Sequence, residues 1–371
     1  MRITHISKPT VSNLIDELIA REIVYEIGAG RSMGSGRKPI LLGFNSKKKL
    51  LLAFKMGRTA YRIALSDLRG HILDFTQEDF AEPLQAEQKL QIVKDGILQL
   101  LKKAKVNKEK LLKAIGISAG IFPGIGKNST MLFSYQGFTE EKVKGFFYDL
   151  FGNNLLINHS TKLSLLGEKI EGKARGYNNV VYIDFAYGLG CSILTNGEIY
   201  FGTDNSSGEL GYFYSSPREF KSTHLKPYVF GSLEDKISGK AIQEAAQSAA
   251  GKNPETKILE LCRGNISKIT AKTVFEAARF HDTLAVSILE EAFLYFKMAL
   301  CNLINLLTPE LVIFGGGLAG SGDLLLRLAT QGVEDKIIEK PRFELSELKN
   351  NASIIGAIHH LINSTNLLDE L

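Results

Sequence analysis

Apolar positions near the start of the chain recur with a helical period. In SKPTVSNLIDELIAREIVYEI, Val11, Leu14, Ile15, Leu18 and Ile19 fall on one face, with Ser7 placed as an N-cap and Pro9 in the first turn, where a missing N–H costs little. Two short β-type runs follow, Ile23–Ile27 and Pro39–Phe44, joined by GAGRSMGSGRK. From Leu50 the reading changes to strands: LLLAFKMGRTAYRIALSDLRGHIL predicts a strand, a tight turn at Gly57, a second strand, a turn at Asp67–Gly70 and a third. NVVYIDFAYGLGCSILTNGEIYFG repeats that design, with turns at Gly188–Gly190 and Asn196–Gly197. Two copies roughly 130 residues apart predict a duplicated α/β fold with a cleft between two lobes. In PELVIFGGGLAGSGDLLLRLA, Gly315–Gly317 stand between a buried strand and a helix, a junction that suits either a phosphate or close helix packing.

Composition narrows the class. With 371 residues, 44% hydrophobic and 23% charged, the chain is long enough for two or three folded domains and is neither disordered nor fibrous. Its longest apolar runs, such as Leu50–Phe54 and Leu311–Phe314, fall far short of the ~20 residues of a membrane helix, and no continuous signal-peptide core opens it, so a cytoplasmic protein is expected. Cys191, Cys262 and Cys301 are widely spaced and odd in number, which excludes a disulfide framework and a four-cysteine zinc site and predicts reduced, buried thiols.

Locating the net charge of +5 sharpens the N-terminal reading. Residues 1–49 hold nine basic and four acidic side chains, whereas the rest of the chain carries 36 of each sign, so a polyanion would be drawn to the N-terminal segment. The helix shows Lys8, Thr10, Ser12 and Asn13 on its polar face, residue types that a recognition helix presents to base edges and phosphates. The glycine-rich connection carries Arg31, Arg37 and Lys38 and reads as the tip of a wing. Together these predict a winged helix-turn-helix over residues 1–45 contacting DNA through those seven residues. Only MRITHI precedes Ser7, so the bracing first helix is expected to be missing or incomplete. Asn45–Lys49, NSKKK, reads as a polar linker.

Taken in order, SKPTVSNLIDELI, GRKP, ISAGIFPG, LLGE at Leu165–Glu168, GELGY at Gly208–Tyr212, TPELVIFGGGLAGSGDLL and ASIIGAIHH resemble the ROK family of bacterial sugar kinases and sugar-responsive repressors. The likeness runs over essentially the whole chain, and the N-terminal module resembles the repressor branch, typified by N-acetylglucosamine and xylose repressors. It implies a two-lobed actin-like ATPase core of the ribonuclease H-like α/β type. The first lobe would span residues 46–168 and the second 169–371, with a C-terminal helix at about 352–365 returning to the first lobe. It also implies a homodimer or homotetramer; the apolar helix around Ala285–Leu307 reads as core rather than interface.

The resemblance also implies which chemistry has been lost. Where ROK kinases carry the Asn-Asp pair that positions the sugar and removes its proton, this chain has His159 and Ser160. Serine is no general base at neutral pH. The first phosphate turn, DxGxT in the kinases, is Lys55-Met56-Gly57-Arg58-Thr59, and the Gly-Thr-Gly of the second is Ala186-Tyr187-Gly188. Lys55 would repel Mg²⁺, and Asp184 reads either as a substitute ligand or as a paired structural carboxylate. The family's zinc loop is missing too: Tyr212 takes the histidine position, and Leu225, Pro227 and Ser232 take the cysteine positions, leaving His224 as a surface histidine. That loop is expected to be held by aromatic packing of Tyr212, Phe213, Tyr214, Tyr228 and Phe230. Glu209 and Glu234 match the family's sugar-binding glutamates, so the effector site is expected at His159, Ser160, Glu209, Tyr212 and Glu234. The expectation is a sugar-responsive repressor with operator DNA and a sugar or polyol as partners, no membrane, no metal, no cofactor and no catalytic residue. The alternatives are a sugar kinase with a vestigial N-terminal module and a sugar-binding protein that binds DNA poorly.

Overall fold

Helix α1 (Lys8–Ala20) opens on the cap the sequence predicts: the Ser7 hydroxyl accepts the Thr10 N–H at 3.3 Å. The computed structural model describes residues 6–30, 38–57, 59–81, 84–118, 139–222 and 231–365. None of the α1 side chains is buried, and Leu14, in the middle of the apolar stripe, is 46% exposed. Strands β1 (Val24–Ala29) and β2 (Ile40–Phe44) pair antiparallel, with a bulge between Glu26 and Gly28. They start one residue later than the apolar runs suggest, because Ile23 is instead buried as an anchor ahead of β1. One helix and one hairpin are therefore what the described residues show of the expected winged helix-turn-helix. The module is tied down at its base: Asn45 Nδ2 donates to the Glu22 carbonyl at 3.1 Å, Lys48 Nζ to the Arg21 carbonyl, and the Leu68 N–H to the Ser46 carbonyl at 2.9 Å.

Two five-stranded sheets follow, and they share one strand order. The first consists of β3 (Leu50–Met56), β4 (Ala60–Ser66), β5 (Ile72–Asp79), β6 (Leu111–Ser118) and β7 (Leu155–His159), in the order β5-β4-β3-β6-β7. Its helices are α2 (Ala86–Lys103), α3 (Glu140–Phe146) and α4 (Tyr148–Phe151), and α5 (Ser160–Ile170) leads out of β7. The second sheet comprises β8 (Val180–Phe185), β9 (Leu189–Thr195), β10 (Glu198–Ile199), β11 (Leu311–Gly315) and β12 (Arg342–Leu345), in the order β10-β9-β8-β11-β12. Between its strands run α6 (Pro217–Ser222), α7 (Glu234–Ile237), α8 (Gly239–Ala250), α9 (Lys257–Leu261), α10 (Ala271–Arg279), α11 (Thr283–Leu307) and α12 (Asp323–Thr330), and α13 (Ala352–Asn363) closes the chain. In both sheets the first three strands form antiparallel hairpins and the last two join in parallel. The duplication read from the sequence is thus upheld strand by strand.

Period-two alternation decides which face each strand residue covers. Leu50, Leu52 and Phe54 of β3 pack against α2 and the α3–α4 pair, while Leu51 and Ala53 pack against α5 and α13 on the other face. In the second sheet Val181, Ile183 and Phe185 meet Phe293 and Phe296 of α11, whereas Val180 and Tyr182 face Leu165 of α5. Helix α11 is therefore mostly core, though Leu294, Met298 and Leu306 remain exposed. Helices α5 and α13 cross between the sheets, and glycine lets them touch backbone to backbone. A Cβ on Gly356 would overlap the Leu163 carbonyl oxygen, and one on Gly167 the Ala352 carbonyl oxygen. Glu168, fully buried next to Gly167, accepts from Ser346 Oγ at 2.5 Å, the Leu348 N–H at 3.1 Å and the Lys173 N–H at 2.8 Å, fixing the far end of α5 to the segment after β12.

Candidate functional site

Lys55, His159 and Asp184 stand at or next to the carboxyl ends of β3, β7 and β8, and carboxyl strand ends border the cleft where α/β sheets place ligands. On the phosphate side, Lys55 Nζ donates to Ser353 Oγ at 3.1 Å, at the start of α13. Burial lowers the Lys55 pKa, the Asp184 charge opposes that shift, and Arg62 adds to it. Asp184 is raised by burial and held down by Lys55. Asp184 and Lys55, both buried, therefore lie within electrostatic reach of one another, each opposing the shift that burial imposes on the other.

The second turn is closed by the chain itself. Ala186 and Tyr187 turn their carbonyls onto the first amides of α8, accepting from Gly239 and Lys240 N–H at 3.0 Å each, and the Ser238 hydroxyl caps the Ala241 N–H. Those amides are the groups a helix N-terminus would offer a phosphate. The Gly315–Gly317 junction also differs from expectation: a 3-10 turn over Gly317–Ser321 intervenes, α12 starts only at Asp323, and Gly316, at φ +83°, leaves room where a Cβ would strike Asp184. Close packing accounts for Gly315 and Gly316, whereas a Cβ on Gly317 would meet nothing within 4 Å among the described residues.

The other side of the cleft holds two buried carboxyls, Glu209 and Glu234, with Lys162 within electrostatic reach of Glu209. Glu209 precedes the turn Leu210–Tyr212, and Glu234 begins α7. Glu234 Oε1 accepts the Leu189 N–H at 2.8 Å, which seats it on the β8–β9 turn. Burial pushes Glu209 up to about 7, against the pull of Lys162 and with a further push from Glu234. Burial likewise raises Glu234 to about 7, opposed by the Leu189 N–H. Tyr212 stands beside both carboxylates and is raised by burial and by their charges. Near neutral pH each carboxyl is thus balanced between accepting and donating, which suits the adjacent hydroxyls of a polyol.

Lys162 is the member that sequence reasoning missed. It is 2% exposed, on the first turn of α5, and its Nζ donates to the carbonyls of Asn205 and, at 3.4 Å, Ser207, pinning the segment that leads into Glu209. The available signal was a lysine among small and apolar residues directly before LLGE. Ser160, 1% exposed, has a hydroxyl with no hydrogen-bond partner among the described residues, and among them α5 has no side-chain N-cap bond. His159 is buried, with Nδ1 2.7 Å from Thr161 Oγ1. The five expected effector residues fall at two places on this cleft, His159 and Ser160 at the mouth of α5, and Glu209, Tyr212 and Glu234 across from it, with Lys162 between them.

Of the expected aromatic clasp, the described residues show only part: Phe213 and Tyr214 are exposed, Tyr214 meeting the Phe220 ring edge-on at 5.1 Å, while Tyr228 and Phe230, like His224, Leu225 and Pro227, lie outside the described residues. What holds the segment is a polar knot. Ser215 N–H donates to Ser232 Oγ at 2.9 Å, the Ser215 hydroxyl to Glu219 Oε2 at 2.7 Å and the Ser232 hydroxyl to the same oxygen, and Lys236 bridges Glu219 Oε1 at 3.0 Å. Burial works against the Glu219 charge, but Ser215 and Lys236 keep its carboxyl below the usual range. Ser232, at a family cysteine position, thus reaches a carboxylate. Glu219→Ala should lower stability by about 1–3 kcal/mol by leaving two serines and a lysine without their shared acceptor; thermal unfolding at neutral pH checks it.

On the N-terminal module Lys8, Thr10, Ser12 and Asn13 are all exposed along α1, and Lys38 is exposed ahead of β2. Arg31 and Arg37 lie outside the described residues. Among the described residues no helix is long and apolar enough to cross a membrane, and Cys191, Cys262 and Cys301 are free and buried.

Comparison with known proteins agrees with this fold. Residues 51–363 match the ROK family. A xylose repressor of Caldicellulosiruptor bescii is 25% identical, the alignment covering 98% of this chain and 90% of that protein. A glucokinase of Halalkalibacterium halodurans is 29% identical, over 54% of this chain and 62% of its own length. A crystal structure of a ROK family transcriptional regulator, a homologue of the Escherichia coli MLC protein, superposes with a TM-score of 0.74 over 100% of this chain and 92% of that one, at 21% identity.

Proposed function

This chain belongs to the ROK family, and we propose that it is a sugar-responsive transcriptional repressor that carries out no phosphoryl transfer. The observation that carries the reading is Ser160: the position of the proton acceptor is a buried hydroxyl at the mouth of α5, while Glu209 and Glu234 remain as hydroxyl-binding carboxyls. Lys55 supports it, since a lysine stands where the family's kinases carry the carboxylate of the first phosphate turn, and a positive charge there would repel Mg²⁺. The alignment with the xylose repressor also runs over the N-terminal module.

In this reading residues 1–45 are the DNA-binding domain, 46–168 the first lobe and 169–371 the second. Lys8, Thr10, Ser12 and Asn13 face the major groove, and Arg31, Arg37 and Lys38 reach phosphates or the minor groove. A sugar or polyol bound by His159, Ser160, Glu209, Tyr212 and Glu234, with Lys162 setting the Glu209 segment, favours one closure of the cleft. Because α5 joins the first sheet to the effector pocket and crosses α13, closure moves the base of the module relative to its partner in a homodimer or homotetramer, and operator affinity changes by the difference in ligand affinity between the two closures.

The test is binding of the full chain to the DNA upstream of its own gene. Lys8→Ala with Asn13→Ala should weaken operator binding about 10- to 1,000-fold, whereas Glu209→Ala should leave DNA affinity in place and remove the response to sugars. Equal binding by the α1 double variant would contradict the reading.

A further inference from the structure

The balanced charge of residues 50–371 hides a segregated one. Between Lys102 and Lys113 stand six lysines and a single acid, Glu109, and the linker adds Lys47, Lys48 and Lys49. The fold sets these two runs side by side. β3 and β6 are parallel neighbours in register Leu50 to Leu111, so the residues just ahead of each strand emerge together at the end of the sheet opposite the cleft. Lys49 Nζ donates to the Glu109 carbonyl at 2.8 Å, closing the two runs on each other. Lys47, Lys102, Lys105, Lys108 and Lys110 are exposed, and Lys49, Lys108 and Lys113 line a cavity of about 350 Å³ that is open between the runs. The local acids do not cancel them: Asp74 is held by Lys103 at 2.8 Å and Asp149 by Lys94 at 2.7 Å.

This ridge sits at the base of the N-terminal module. Lys48 reaches the Arg21 carbonyl and Asn45 the Glu22 carbonyl, both just past the end of α1. A helix lying in a groove about 12 Å wide brings its ends near the phosphates on either side, so lysines fixed next to the end of α1 stand over the flanking backbone. We propose that the first lobe itself is part of the DNA-binding surface, and that the ridge of Lys47, Lys102, Lys105, Lys108 and Lys110 contacts the phosphate backbone beside the site that α1 reads. The proposal rests on the DNA-binding reading above and extends it from residues 1–45 to the effector core. Lysines that contact phosphates supply affinity and not sequence choice.

The experiment compares the full chain with a ridge variant, Lys102→Gln, Lys105→Gln, Lys108→Gln and Lys110→Gln, and a control variant carrying Lys252→Gln, Lys268→Gln and Lys272→Gln on the second lobe. Binding to a duplex from the chain's own promoter and to a scrambled duplex is measured from 50 to 300 mM salt. Each lost phosphate contact removes about 0.9 from the slope of log K against log salt. The ridge variant should lose about 2–4 from that slope per protomer and bind both duplexes about 10- to 100-fold more weakly at low salt, with the ratio between duplexes, the sugar response and the melting temperature unchanged; the control should match wild type. An unchanged slope in the ridge variant, with promoter binding intact, overturns the ridge and leaves the regulatory reading standing. Absence of specific promoter binding by the unmodified chain overturns both.

Discussion

Gly356→Ala is expected to destabilise the protein by about 3 kcal/mol or more, the cost of overpacking at a site that cannot relax. The added methyl would overlap the Leu163 carbonyl oxygen and stand 2.8 Å from the Gly167 nitrogen, so it meets main chain of a buried helix and no rotamer change relieves it. Gly167→Ala meets the Ala352 carbonyl from the other side of the same crossing and should behave alike. Gly145→Ala is the contrasting case: nothing lies within 4 Å of its Cβ, and in α3 alanine is the better helix former, so a gain of about 0.5–1 kcal/mol is expected. Thermal or denaturant unfolding of the three variants checks this, and wild-type melting by Gly356→Ala would remove the backbone-contact account of α5 and α13. Because this crossing joins the two sheets, any Gly356→Ala protein that folds should also have a blunted sugar response.

Ligand-free protein should lose stability as pH rises from about 5 to 8, and Glu209→Gln should abolish part of that loss. Glu209 and Glu234 are both raised from 4.5 to about 7 in the folded chain, chiefly by burial. Between those values the folded state keeps protons that the unfolded chain has released, so folding is favoured progressively less, and the penalty is complete above pH 7. At about 1.4 kcal/mol per unit, reduced because solvent reaches both carboxyls, each group should contribute about 1–3 kcal/mol. Glu209→Gln should then be more stable than wild type at pH 8 and similar to it at pH 5. Lys162→Met removes the charge that opposes the rise and should move the window to higher pH. Parallel pH curves for wild type and Glu209→Gln would contradict this. A pocket that costs stability when empty is what a site kept for binding looks like.

What could be read in the sequence followed from local rules. The continuous apolar run LLLAFKM and the turns at Gly57 and Gly188–Gly190 give both hairpins, since apolar runs and turn chemistry are local properties. The motif glycines Gly167 and Gly356 belong to segments already singled out, but their reason, a helix crossing between residues far apart in the chain, needs the fold. Long-range placement also hid the electrostatic interaction of Lys55 with Asp184, which come from different sheets, and the role of Lys162, whose partners Asn205, Ser207 and Glu209 lie far along the chain. Aromatic content misled the reading of the segment after GELGY, where serines and Glu219 supply the contacts. A charge count over the whole C-terminal portion averaged away the lysine ridge, because register and not composition sets Lys47–Lys49 beside Lys108–Lys110.

The most direct test of the central claim is one titration with two readouts. Full-length protein bound to its labelled promoter duplex is challenged with a panel of sugars and polyols in the presence of Mg²⁺–ATP, with DNA occupancy and ADP followed in the same sample. The expected result is a change in occupancy with at least one compound and no compound-dependent ADP. ADP formation that tracks a sugar, with DNA occupancy indifferent to the whole panel, would contradict it.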